Sequence, residues 1–240
     1  MRVRDSGKAM PPQQPDTRPQ GATHDSTLPQ WAVDKMIRRR GGRRHAFADL
    51  RAARTALVVI DLTQSFVENT PCAAAIVEPV NRLARALRSA GGTVAWVLPA
   101  PMAHDPLLTA LWGEGHAQRT AADTQPDSQK AAPAAGLVRQ ADDLVAEKSA
   151  YSAFFPGRCP LPELLRARGI DTVLIAGVLT NICCESSARD AMTLGFRVVM
   201  VADANAARSD EEHRAALYNV MRNFGDVRAS DDLVAAFGTT

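Results

Sequence analysis

The strongest constraint on this chain is its alternation of short apolar runs with segments of helical periodicity. TALVVID (55–61), TVAWVLP (93–99), DDLVAEK (142–148), DTVLIAGV (171–178) and RVVMVAD (197–203) have the length and apolar content of strands. Most lack polar alternation, so they suit a sheet buried on both faces. Between and after them lie IVEPVNRLARALRSAGG, LPELLRARGI, NICCESSARDAMTLGF and SDEEHRAALYNVMRNFG, with apolar residues at helical spacing. The last opens with a Ser-Asp-Glu-Glu cap pattern. GDVRAS (225–230) can hold a short final strand. Strand–helix alternation means parallel strands joined by helical crossovers. The expected fold is α/β: a doubly wound, mostly parallel six-stranded sheet with helices on both faces.

Before this domain, residues 1–28 are polar and rich in Pro and Gln, which predicts a disordered tail. Residues 29–50 predict a helical arm, with Trp31, Val33, Met36 and Ile37 on one face and a stop at Gly41-Gly42. The main domain then spans 51–240. The basic run Arg38–Arg44 fits a solvated helix end, where cations suit the dipole. A net charge of +2 gives no argument for a nucleic-acid partner. The polar, Pro-containing stretch 113–136 predicts a mobile insertion or lid. No run approaches the ~18 apolar residues of a membrane span. The four cysteines form no disulfide framework and no C-x-x-C pair, so reduced thiols and a cytoplasmic location are expected.

In open parallel sheets, ligands bind beyond the carboxyl ends of the strands, near the point where strand order reverses. Asp61 ends the first strand, Lys148 the third, and Thr180, Asn181 and Cys183 follow the fourth. Each has an ordinary alternative. A strand-ending aspartate often caps a helix, a lysine after a strand is usually solvated, and cysteine is commonly a small buried hydrophobe. Together they make chemical sense. A helix start and a nearby ammonium favour the Cys183 thiolate, Asp61 can take the thiol proton, and backbone N–H groups of 179–183 can hold an oxyanion.

GVLTNICCESSARDAMTLGFRVVMVADA (177–204) closely resembles the signature of the isochorismatase-like cysteine hydrolases. TALVVIDLTQSFVE (55–68) resembles that family's first strand, and EKSAYSAFF (147–155) its lysine segment. The resemblance implies a catalytic trio of Asp61, Lys148 and Cys183, with Cys184 facing helix packing. It also implies a non-proline cis peptide at Val178–Leu179 and an oxyanion hole from the Leu179 and Cys183 N–H groups. Phe66, Tyr151, Phe154, Thr180 and Asn181 become candidate substrate contacts. Leu62-Thr63-Gln64 departs from the family's usual Met-Gln-Asn. His104 and His116 lack the spacing of the family's metal-binding members, so no metal or other cofactor is expected.

The expected activity is hydrolysis of the C–N bond of a small amide or ureido compound through a thioester on Cys183. The Glu185–Asp190 helix and the long arm resemble the ureidoacrylate and biuret amidohydrolase branches. The alternatives are a vinyl-ether hydrolase of isochorismatase type and a non-catalytic binding protein of the same fold. The expected partners are a small-molecule substrate and further copies of the chain, as dimer or tetramer, with neither nucleic acid nor membrane.

Overall fold

The computed structural model describes residues 21–103 and 105–238. Six strands form one sheet: β1 (Thr55–Ile60), β2 (Thr93–Pro99), β3 (Leu144–Lys148), β4 (Thr172–Val178), β5 (Arg197–Ala206) and β6 (Asp226–Arg228). Their order is β3-β2-β1-β4-β5-β6, and every pairing is parallel. The chain builds outward from β1 to one edge, returns to β4 beside β1, and builds to the other. Strand order therefore reverses between β1 and β4, where a parallel sheet opens a crevice for ligands.

Nine helices accompany the sheet among the described residues: α1 (Gln30–Arg39), α2 (Gln64–Asn69), α3 (Val77–Ser89), α4 (Pro106–Trp112), α5 (Glu114–Asp123), α6 (Leu161–Ala167), α7 (Glu185–Thr193), α8 (Asp210–Asn219) and α9 (Ser230–Phe237). The period-2 geometry of β1 splits its side chains between two cores. Ala56, Val58 and Ile60 join the layer containing Leu161, Leu165, Ala188, Ala191 and Leu217. Leu57 and Val59 join the layer of Val80, Leu83, Leu87, Leu233 and Phe237. All six β1 residues are buried, which is why the run shows no polar alternation.

The amino-terminal boundary differs from the sequence expectation. Residues 1–20 of the expected tail lie outside the described residues, but the chain packs onto the domain from residue 24, where His24 is buried. Helix α1 docks through Ala32 and Met36, packed with Met221, while Trp31 is 60% exposed. Of the expected apolar face, Met36 and Val33 join this contact and Trp31 does not. One cation of the basic run has a structural task. Arg40 donates to Asp226 Oδ1 at 3.2 Å and to the Met221 and Gly225 carbonyls, tying the arm to β6. The 113–136 stretch contains ordered structure: α5 lies within it, and Ser65 Oγ of α2 donates to Asp123 Oδ2 at 2.6 Å.

Strands β1 and β4 approach most closely where Ile60 pairs with Gly177. Gly177 has φ +118°, and a Cβ there would lie 2.1 Å from the Ile60 carbonyl oxygen. Both the conformation and the space demand glycine. Gly177→Ala should lower unfolding free energy by roughly 3 kcal/mol or more, because left-handed strain and backbone overlap add. Gly195→Ala, at φ +90° with open space around it, should cost only ~1–2 kcal/mol. Urea unfolding of both variants checks this; equal losses would refute the close-approach argument.

Candidate active site

Three side chains from three strand ends converge at the sheet's carboxyl edge. Asp61 follows β1 directly. Its backbone is left-handed (φ 53°), a conformation that Asp tolerates better than most residues, and its N–H donates to the Val97 carbonyl of β2 at 2.9 Å. Lys148 is the last residue of β3. Cys183 lies in a π-type turn over Thr180–Cys184 between β4 and α7, where the Cys184 N–H reaches back to the Leu179 carbonyl. Such wide turns gather at functional sites. The Val178–Leu179 peptide is cis.

Lys148 Nζ sits 2.7 Å from Asp61 Oδ2, 3.0 Å from the Ala150 carbonyl oxygen and 3.6 Å from Cys183 Sγ. An ammonium has three donors, and these three partners account for them. All three residues are buried, at 2%, 6% and 7% exposure for Asp61, Lys148 and Cys183. Asp61 Oδ1 is buried without a hydrogen-bond partner among the described residues. The Asp61 carboxylate acts on the Cys183 thiol at close range. A free carboxylate lone pair beside a thiol is a ready proton acceptor.

The electrostatics follow from burial. Loss of solvent pushes the Asp61 carboxyl above its ordinary value, against the pull of Lys148, which makes it a stronger base than a surface aspartate. Burial alone would depress the Lys148 ammonium, but the charges of Asp61 and Cys183 together outweigh it and hold its pKa up at about 12. The Cys183 thiol is pushed well up, first by burial and then by Asp61, and Lys148 offsets only part of this. Burial and the Asp61 charge therefore favour the thiol form, against the pull of Lys148 that the sequence suggested would favour a thiolate.

The remaining candidates divide. Tyr151 is 44% exposed and near enough to feel the charges of Cys183 and Lys148. Phe154 is wholly buried and packs edge-on against Phe196 at 5.5 Å, so it is a core residue and not a pocket contact. Phe66 is half-buried against the second core layer. Asn181 is half-buried with Oδ1 unpartnered, which leaves an acceptor at the site. Thr180 is fully buried, and its hydroxyl lies 2.9 Å from His213 Nδ1, facing α8 instead of a ligand. Cys184 is fully buried in the first core layer. Among the described residues, no group of three His, Cys, Asp or Glu side chains is arranged to hold a metal ion. His104 lies outside the described residues.

The Isochorismatase domain profile matches residues 55–232. The chain belongs to the isochorismatase family. Within that family, it is 32% identical over 181 residues to the uncharacterized protein YwoC of Bacillus subtilis, covering 75% of this chain and 93% of that one. It is 40% identical over 111 residues to nicotinamidase 3 of Arabidopsis thaliana, but this covers 46% of the chain and only 54% of that protein. Among solved structures, a cysteine hydrolase from Pseudomonas syringae pv. phaseolicola aligns with TM-score 0.69 at 25% identity, over 79% of this chain and 95% of that one. N-carbamoylsarcosine amidase from Thermoplasma acidophilum aligns with TM-score 0.63 at 30% identity, over 74% and 97%. The chain is an isochorismatase-family hydrolase with amidohydrolase relatives.

Sequence reasoning missed part of this family member's site rim. Trp112, at the end of α4, lies 6.4 Å from the Tyr151 ring and 5.5 Å edge-on from His116 of α5. Burial, then the charges of Arg208 and Arg119, depress the His116 imidazolium. Only the fold brings α5 and the β5–α8 turn together, and no local pattern marks these residues.

Two expectations follow. Lys148→Met leaves a buried, uncompensated carboxylate and should cost about 3–5 kcal/mol in denaturant unfolding, with recovery in the Asp61→Asn/Lys148→Met double variant. Asp61→Asn removes the negative charge that raises the thiol, so Cys183 should react with iodoacetamide faster at pH 8, by about tenfold per unit of lowered pKa. An unchanged rate would mean that the carboxylate does not face the sulfur.

Proposed function

We propose that the protein hydrolyses the C–N bond of a small amide or ureido compound, with Cys183 as nucleophile. The observation that carries the reading is the convergence of Lys148 on Asp61 Oδ2 and Cys183 Sγ, at 2.7 and 3.6 Å, with Asp61 Oδ1 left unpartnered. Lys148 touches both the carboxylate and the sulfur. Substrate amidase names among the relatives support the same chemistry: maleamate amidohydrolase of Pseudomonas putida, ureidoacrylate amidohydrolase RutB of Variovorax paradoxus and N-carbamoylsarcosine amidase. The chain spans only 43% of the first and 38% of the second.

In this mechanism the Cys183 sulfur attacks the carbonyl carbon as its proton passes to Asp61. A C–S bond forms, and the carbonyl oxygen gains negative charge held by the Leu179 and Cys183 N–H groups at the start of the turn. The C–N bond then breaks, and the amine leaves with the proton from Asp61. Lys148 stabilises the sulfur while it carries negative charge. Water attacks the thioester and gives a proton to Asp61, the C–S bond breaks, and the acid departs as the proton returns to sulfur. Tyr151, Trp112 and Asn181 line the approach. Arg119 and Arg208 have no ion pair among the described residues, so the rim favours an amide that also bears a carboxylate. Cys159, Cys183 and Cys184 form no disulfide among the described residues, which suits a reducing, cytoplasmic setting. A dimer or tetramer completes the reading.

Ammonia release is the direct test, with ureido acids, acidic amides and nicotinamide offered to the wild type and two cysteine variants. Cys183→Ala should lose at least ~10³-fold in kcat/KM. Cys184→Ala, altering a core position, should keep its rate within a few-fold, and acidic amides should outrun nicotinamide. Full activity in Cys183→Ala would end the thioester mechanism.

A further inference from the structure

A buried hydrogen-bonded chain runs from the nucleophile turn to the amino-terminal segment. His213 of α8 is fully buried. Its Nδ1 lies 2.9 Å from Thr180 Oγ1, and its Nε2 lies 3.1 Å from Ser26 Oγ. Ser26 Oγ itself donates toward the Ala202 carbonyl at 3.4 Å. His24 stacks on the His213 ring at 4.8 Å between centroids and 17° between planes. His24 is anchored in turn by Asp210 Oδ1 at 2.6 Å and by the Ala207 backbone at 3.1 Å.

The partners assign the tautomer. Ser26 gives its hydroxyl proton to Ala202, so it accepts from Nε2–H. Nδ1 then keeps its lone pair and accepts the Thr180 hydroxyl proton. Burial first, then His24 and Arg214, depress the His213 pKa to about 4, which keeps the ring neutral and that lone pair available. Thr180 opens the turn that ends in Cys183-Cys184. Its hydroxyl has no other hydrogen-bond partner recorded among the described residues. This one acceptor therefore holds the start of the segment that carries the nucleophile.

We propose that His213 is a positioning residue, fixing the Thr180 hydroxyl through Nδ1 and thereby the place of the Cys183 thiol against Asp61 and Lys148. The proposal deepens the reading of Cys183 as nucleophile. Its readout is the thiol itself and needs no substrate, so the two readings fail separately.

The test measures the pH dependence of Cys183 carbamidomethylation by iodoacetamide in the full-length chain, followed by peptide mass. It compares the wild type with His213→Asn, His213→Gln, Thr180→Val and the Thr180→Val/His213→Gln double variant, all at a temperature where circular dichroism shows them folded. Asn can place an acceptor where Nδ1 stood; Gln places its polar end where Nε2 stood. With the tether gone, the sulfur should leave its cavity and titrate nearer an ordinary thiol. His213→Gln and Thr180→Val should therefore react about tenfold faster at pH 8, for each unit by which the midpoint falls. His213→Asn should retain the wild-type profile, and the double variant should shift no further than either single one. Should His213→Gln not fold, Thr180→Val carries the test alone. The proposal is overturned if Thr180→Val keeps the wild-type profile, if Asn and Gln behave alike, or if the double variant's effect is the sum of the two.

Discussion

The site is organised by a buried ion pair that cannot be left half-made. Taking an ammonium and a carboxylate out of water costs several kcal/mol per ion unless each finds a partner at close range. Lys148 meets this condition with three acceptors, Asp61, Ala150 and Cys183. Asp61 meets it with one oxygen only, since Oδ1 has no partner. Burial lifts the carboxyl above its ordinary range and leaves one acceptor oxygen free of a recorded bond. Burial and that carboxylate together favour the thiol form of Cys183.

The sheet supplies the geometry. Asp61 and Cys183 follow β1 and β4, the two strands flanking the reversal of strand order, and Lys148 reaches across from the end of β3 past β2. Gly177 lets β1 and β4 lie close where the reactive segments depart. Helices α4 and α5 cover the same edge, held through Ser65 and Asp123. From the other side, His213 and the amino-terminal segment brace the turn that carries the sulfur. The reactive thiol is therefore held from three directions by parts of the chain far apart in sequence.

Much of the fold was legible because its signals are local. Apolar runs without alternation marked β1, β2, β4 and β5 within a few residues, and β5 proved longer at its carboxyl end (to Ala206) because Ala204 and Ala206 are small enough to stay buried. Resemblance in the 177–204 segment singled out Cys183 over Cys184, and both lie in the first core layer. The arm was harder. Of its expected face Met36 and Val33 pack on the domain, but Trp31 stays exposed and Ala32 is buried in its place, since docking depends on the surface opposite.

Sequence by itself determined the α/β class, the parallel strands and the strand-end positions of Asp61, Lys148 and Cys183, because periodicity and chain order act over a few residues. Tertiary structure alone decided the surroundings of the thiol, which set a carboxylate from a different strand against it and strip water from both. It also turned Phe154 into the core, faced the Thr180 hydroxyl toward His213, and brought Trp112, His116 and Arg208 to one rim. Those outcomes rest on contacts between residues tens to nearly two hundred positions apart, such as Ser26 with His213. Local pattern carries no record of such distances; only the closed, packed sheet and its covering helices bring them to bear.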